Sequence, residues 1–425
     1  MRATTPVTKP RGPALMRRPP RWLSILLTAV ALVALAAPAN AFPVRQATPA
    51  APAAAAEIAG IAQNALTAYD LQAVIVRVTI DGEEVITAAY GESMSGVPAT
   101  PEMHFRNGAV AISYMSTLLL QLVDEGVVGL DDPLANWLPD LPDADQVTLR
   151  MLANMTAGYP DDVQNDELID AIYADPFRQW TPDELIAIGL STPRVFAPGE
   201  NWDYSHTNYV ILGQALEAIT GQPMATLMAE RIFTPLQLDN TAGWSTPAIP
   251  EPVLHAFTAE RRGPLGIAPS TPFLEDSSFW NPSWTLAEGA IQTTNIYDMS
   301  ASAMAIGEGT LLSPESHAAQ IDPILRGFGA PLAGCPNCHT LNESYTYGLG
   351  VVLSGDWLLQ NPLFAGYGGV AAYLPSQRIA VAVATTYTEA SFTATGDYTH
   401  GNVSQIILSD IANYLAPGSL PTRAT

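Results

Sequence analysis

The 425-residue chain has a single lysine, Lys9, and none beyond it. A mechanism that requires a lysine amine, as Schiff base or as general base, is therefore excluded from everything downstream. Cysteine is nearly as scarce. Two residues, Cys335 and Cys338, rule out a disulfide-rich scaffold and allow at most one bridge. Charge is thin at 14%, and positive charge is thinner still: 18 basic residues stand against 41 acidic, a net −23. Nucleic acid and anionic membrane surfaces are excluded as partners by that field. Neither a Walker phosphate loop nor a dinucleotide glycine fingerprint is present.

What the chain has is apolar content, 48%, enough for a full core. Its N-terminal segment, MRRPPRWLSILLTAVALVALAAPANA from Met16, has a basic start, an apolar stretch and a small-residue end. That pattern reads as a secretory signal peptide over residues 1–41, with Met16 an alternative start and cleavage after Ala41. The apolar run Trp22–Ala37 is short for a bilayer. The expectation is a secreted or periplasmic, cell-envelope protein with no stable transmembrane span after cleavage. The leader carries six basic and no acidic residues, so its loss takes the net charge from −23 to −29. Residues 42–56, FPVRQATPAAPAAAA, read as a Pro/Ala tether, and 416–425 as a tail.

Between them, residues 57–415 read as one α+β domain. Helical periodicity covers Glu57–Tyr69, Ala109–Glu125, Asn208–Thr220, Met224–Ile232 and Val403–Leu415. Strand patterns cover Ala73–Ile80, Glu84–Tyr90, Tyr347–Ser354, Ala371–Leu374 and Ile379–Thr385, the first two joined by the hairpin signal Asp81-Gly82. Strands at both ends with helices between predict an antiparallel sheet built from both termini and flanked by helices. A mostly helical lobe is inserted at about residues 130–320.

The stretch FRNGAVAISYMSTLLLQLVDEGVVGLDDP, from Phe105, has a strand, a glycine turn and the start of a helix. With VTLRMLANMTAGYPD, FAPGENWDYSHTNYVILGQALEAITG and YGLGVVLS…GYGGVAAYLP, it resembles the serine β-lactamase and penicillin-binding-protein family. That family includes class C β-lactamases, D-alanyl-D-alanine carboxypeptidases and related esterases. The resemblance implies three constellations: Ser-x-x-Lys, Tyr-x-Asn, and Lys-Thr-Gly or His-x-Gly. Here the matching positions are Ala109 and Ile112, then Tyr204 and His206, then Tyr367 and Gly369. Nucleophile, lysine, asparagine and strand histidine are all replaced, so the chain reads as a degenerate member. The backbone N–H groups of Ala109 and Val370 match the family's oxyanion donors, and a side-chain substitution does not remove them.

The resemblance therefore implies a protein without acyl-transfer chemistry. Its former cleft would bind a peptide, a cell-wall fragment or a partner protein through Ala109, Tyr204, His206, Tyr367 and Val370. The alternative is an active hydrolase, of esterase, peptidase or β-lactamase type, rebuilt around Tyr204 and His206. Ser113 shares the helix face of Ala109 but sits about 6 Å further along, where an isolated hydroxyl bonds its own surroundings. Cys335 and Cys338, in GCPNCHT, suit a local disulfide across the Pro336-Asn337 turn. With His339 they also match a haem-attachment string. No cofactor or metal is otherwise expected, since one histidine beside two cysteines lacks a fourth zinc ligand.

Overall fold

The computed structural model describes residues 51–243 and 246–421. The expected signal peptide and most of the expected tether lie outside these residues. The first described helix, α1, spans Ala51–Ala68, so residues 51–56, expected as tether, are helical. Pro52 stands in the first turn, where its missing N–H costs nothing, and the alanines behind it are the best helix formers.

Strands β1 (Leu71–Ile80) and β2 (Glu83–Met94) follow as an antiparallel hairpin. Its turn is Asp81-Gly82, with φ of 52° and 80°. Two positive φ values are what a tight hairpin turn matched to strand twist requires. The lobe comes next and includes α2 (Val110–Asp124), α3 (His206–Thr220) and α4 (Ile296–Glu308). The chain then returns through β3 (Val352–Ser354), β4 (Trp357–Gln360), β5 (Leu363–Phe364), β6 (Tyr367–Leu374) and β7 (Ile379–Tyr387). It closes with α5 (Val403–Leu415).

The large sheet runs β2-β1-β7-β6-β4-β3, all antiparallel, with β5 also paired to β6. Short edge pairs at Val97–Pro98 and Thr346–Tyr347 complete it. The two termini meet at its centre, where Val76 of β1 faces Val383 of β7, itself opposite Val370 of β6. Every residue of β6 and β7 is buried. A strand without polar alternation is covered on both faces. The covers are α1 packed with α5, and α4 laid across β6, β7 and β1. The predicted strand Tyr347–Ser354 is interrupted at Gly348–Val351, where Gly350 donates to Ala153 O and Gly348 to Val351 O. Helix Met224–Ile232 is present but widens into a π turn over Ala229–Phe233.

Helix α2 is the spine of the lobe. Residues Val110–Leu120 are all buried, so it is wrapped on every side rather than along one stripe. Against it, Gly213 of α3 lets Ala287 approach: a Cβ added there would lie 2.2 Å from the Ala287 Cβ. Gly213→Ala should therefore cost about 1–3 kcal/mol in urea unfolding. Unchanged stability would show that this crossing is loosely packed.

Candidate active site

A cleft of about 640 Å³ opens where three segments converge. These are the N-terminus of α2, the loop leading into α3, and the turn carrying the two cysteines. The β4–β5 connection forms a further wall.

At the first segment, Ala109 is the N-cap of α2, with no side-chain cap and no acid in the first turn. Ala109 and Ile112 both line the cleft, and neither carries a reactive atom. Gly108 before them has φ +46°, and a Cβ there would lie 2.7 Å from both Pro362 and the Phe364 ring. That contact seats β5 against the helix start. Ser113 is buried, and its hydroxyl donates to Gly350 O at 2.6 Å. It is structural and takes no part in the cleft.

The second segment holds the polar chemistry. Asp161 Oδ1 accepts three N–H groups: the His206 backbone at 2.9 Å, His206 Nδ1 at 3.0 Å and the Val163 backbone at 3.3 Å. With Nδ1 committed, Nε2 is the ring nitrogen left for the cleft, which His206 lines. The Tyr204 ring packs edge-on to that imidazole at 5.3 Å. Burial pulls the His206 imidazolium down. The Asp161, Asp162 and Asp203 carboxylates outweigh it, and the pKa stands above its ordinary value. Burial, aided by Tyr345 and Asp161, holds the Tyr204 phenol well above 10, so it is a hydrogen-bond donor and not a phenolate.

Two further acids lie behind this wall, and like Asp161 they carry no role in the sequence reading. Asp162 is fully buried and accepts from the Thr207 hydroxyl at 3.0 Å. Asp203 is 4% exposed, between Trp202 and Tyr204 in the chain. Burial first, and the Asp161 charge second, push both up to about 7. The run Trp202-Asp203-Tyr204 placed Asp203 one residue from a motif tyrosine, which was the available signal.

The third constellation departs from expectation. Tyr367 is buried, does not line the cleft, and donates its hydroxyl to Leu254 O at 2.7 Å. Gly369 N–H donates to Pro362 O at 2.8 Å. Successive strand residues point their N–H groups to opposite sides. The Val370 N–H is therefore turned toward β7, inside the sheet, and cannot serve as the second oxyanion donor. Tyr367 and Val370 are thus withdrawn as ligand-binding residues.

Cys335 and Cys338 form a disulfide with Cα atoms 5.3 Å apart. Both sulfurs are used, which leaves no thiol for a haem thioether and overturns that alternative. The Asp203 carboxylate and the two sulfurs lie within 4.8 Å of one another, but a bonded disulfide is not a thiolate ligand. The turn it closes places Pro336, Asn337 and His339 on the cleft wall. Asn337 Nδ2 donates to Tyr204 O at 3.1 Å, and His339 Nδ1 lies 2.7 Å from Asn337 O. Beside Val163, Thr285, Leu286, Ile291, Asn361 and Leu363, the remaining lining is aromatic. Trp202 stands edge-on to His339 at 5.1 Å and to Tyr345 at 5.7 Å, and Trp284 to Phe364 at 6.2 Å.

Comparison with known proteins agrees with this layout. A family model described as beta-lactamase matches residues 58–402. Penicillin-binding protein 4 of Amycolatopsis lactamdurans is 30% identical over 210 residues, 48% of this chain and 52% of that protein. The D-alanyl-D-alanine-carboxypeptidase/endopeptidase AmpH of Escherichia coli K12 is 28% identical over 191 residues, 43% and 48% of the two chains. The chain thus spans about half the length of these curated relatives. Among solved structures, D-amino acid amidase from Ochrobactrum anthropi SV3 superposes with TM-score 0.68 at 21% identity. It covers 86% of this chain and 98% of that one, and shares its fold.

The raised acids have a consequence for stability. A carboxyl held near 7, against an ordinary 3.8, binds a proton on folding between those values. Its contribution is full below about 4 and is lost as pH rises to about 7. Asparagine cannot ionise. Asp203→Asn should therefore gain on the wild type by on the order of 2 kcal/mol between pH 4.5 and 8 in urea unfolding. A pH-independent difference would refute the assignment.

Proposed function

From the premise that this chain belongs to the beta-lactamase family, matched over residues 58–402, we propose that it is a non-catalytic member. Its cleft holds a peptide or cell-wall fragment without forming a covalent bond to it. The observation that carries this reading is the pair Ala109 and Ile112 at the N-terminus of α2. A methyl and a sec-butyl group occupy the places of the hydroxyl and the amine that would make an ester with substrate. Ser113 is spent on Gly350, and no lysine follows Lys9 to activate any hydroxyl.

The cleft itself supports binding. At the α2 N-terminus the N–H groups of Val110, Ala111 and Ile112 donate to the carbonyls of Asn107, Gly108 and Ala109, and the Ala109 N–H is the donor left for a carbonyl oxygen. The aromatic surface offers apolar area with few rotamers to freeze. The D-alanyl-D-alanine activity in the name of the E. coli relative directs the reading to D-alanyl peptides. We further infer export to the cell envelope from the leader pattern of residues 1–41. No helix among the described residues is long and apolar enough to cross a membrane.

A second reading rests on the Asp161–His206 pair. An imidazole oriented by a buried carboxylate, with Nε2 toward a cleft, is a general base for water. Turnover of p-nitrophenyl esters that vanishes in both His206→Ala and Asp161→Asn would favour this reading. Turnover that survives both would reject it.

The primary reading predicts no stoichiometric mass adduct after exposure to a fluorescent penicillin or a fluorophosphonate. An adduct mapped to a cleft residue would overturn it. Combining Ala109→Ser with Ile112→Lys should give at most slow acylation, because the hydroxyl and amine return while the Val370 N–H stays inside the sheet. Titration calorimetry against amine-bearing muropeptides and D-Ala-D-Ala peptide amides should give saturable heat. Silence from all of them would leave the cleft without this class of ligand.

A further inference from the structure

We propose that the cleft selects a small organic cation that also carries a neutral amide or ester carbonyl, such as an amine-bearing peptide fragment. The inference deepens the binding reading above and rests on it.

The charges around the cleft do not balance for an anion. No lysine or arginine lines it, and the basic groups that do are the imidazoles of His206 and His339. Directly behind the lining stand three buried acids. Asp161 shares one cation, His206. Asp162 is satisfied on one oxygen by the Thr207 hydroxyl, and Asp203 by the Asn337 amide. The second oxygens of Asp161 and Asp162 are buried with no hydrogen-bond partner. Asp162 and Asp203, held near 7, are mostly ionised at pH 7.5, and with Asp161 they outweigh one paired imidazole, so the wall behind the lining is net negative. A ligand carboxylate would be desolvated onto like charge in a low-dielectric site, whereas an ammonium group would meet opposite charge.

The lining suits the same cation. Trp202, Tyr204, Trp284, Tyr345 and Phe364 all contribute aromatic surface to the cleft. The negative faces of such rings attract an ammonium ion, tryptophan most strongly. The opposite polarity is found at one place, the uncapped N-terminus of α2 at Ala109, which has no acid in its first turn. With the N–H groups of Val110, Ala111 and Ile112 taken by backbone carbonyls, the Ala109 N–H and the positive helix end suit a single carbonyl oxygen. The ligand's two ends are thus distinguished: ammonium toward the aromatic and acidic wall, carbonyl toward Ala109.

The test is calorimetry at pH 7.5 with three probes differing at one nitrogen, in both enantiomers: Nα-acetyl-lysinamide, its Nε-acetyl derivative and its Nε-succinyl derivative. The free ammonium should bind at least about tenfold more tightly than the Nε-acetyl form. The succinyl anion should bind weakest, and added salt should weaken the ammonium alone. Trp284→Leu and Asp203→Asn, each checked for native circular dichroism, should narrow the gap between ammonium and acetyl forms. If the acetyl form binds as tightly as the ammonium in the wild type, the cation preference is overturned and the cleft remains a neutral binding site. If all three are silent to 10 mM, on the order of the weakest useful affinity, the binding reading fails and the preference falls with it.

Discussion

One carboxylate oxygen holds the cleft wall together. Asp161 Oδ1 accepts from Val163, from the first N–H of α3 and from the His206 ring. The loop after Tyr159, the start of α3 and the orientation of the imidazole are thereby fixed by a single buried acceptor. The N–H groups at a helix start lack intrahelical partners, and an anion there also meets the positive end of the helix dipole. Asp161 meets both needs at α3. The Tyr204-Ser205-His206 segment consequently enters α3 in extended backbone, with Ser205 at φ −130° and ψ 120°, and Tyr204 is delivered to the cleft.

The two helix starts that face the cleft are therefore unlike. At α3 the first backbone N–H goes to the protein's own acid, whereas at α2 the N–H groups of Val110, Ala111 and Ile112 go to backbone carbonyls. At α2, Ala109 offers neither a capping oxygen nor an acid, and Ile112 fills the next turn with hydrocarbon. An isoleucine at a 0% exposed site carries no desolvation cost. A lysine there would need a partner for its charge. In a chain with no lysine past Lys9, the apolar choice at 112 leaves the α2 terminus as the positive feature opposite a set of carboxyls.

Much of the fold was legible in the sequence because it is local. The Asp81-Gly82 hairpin, the apolar runs of β1 and β7 and the limits of α5 follow from periodicity and turn chemistry. The motif alignment located Ala109, Ile112, Tyr204 and His206 on the cleft, and the Cys-Pro-Asn-Cys spacing located the disulfide. The failures are of two physical kinds. Tyr367 and Val370 were misplaced because a motif string does not say which way a strand's N–H groups point. The Gly369–Pro362 hydrogen bond decides that, and it depends on β5 folding back onto β6. Asp162 and Asp203 were passed over because their importance lies in burial beside Asp161, a tertiary fact without a sequence period. The helical start at Ala51 was read as tether because proline and alanine look alike in composition and act differently in a first turn.

Losing a nucleophile is a smaller change to a cleft than to a reaction. The covalent step needs one oxygen at one place, and a methyl group abolishes it. The field in which a ligand sits is set by groups that never touch the reacting bond: two helix termini, three buried carboxyls and a ring of aromatic faces. Their sum runs from positive at Ala109 to negative beneath Tyr204 and His206. A dipolar or cationic ligand gains along that gradient. The turn closed by Cys335 and Cys338 holds Asn337 against the Tyr204 carbonyl, beside the acids at the negative end of the gradient. The scaffold keeps its shape because its packing, from Gly108 under Phe364 to Gly213 against Ala287, is independent of the atoms that were replaced.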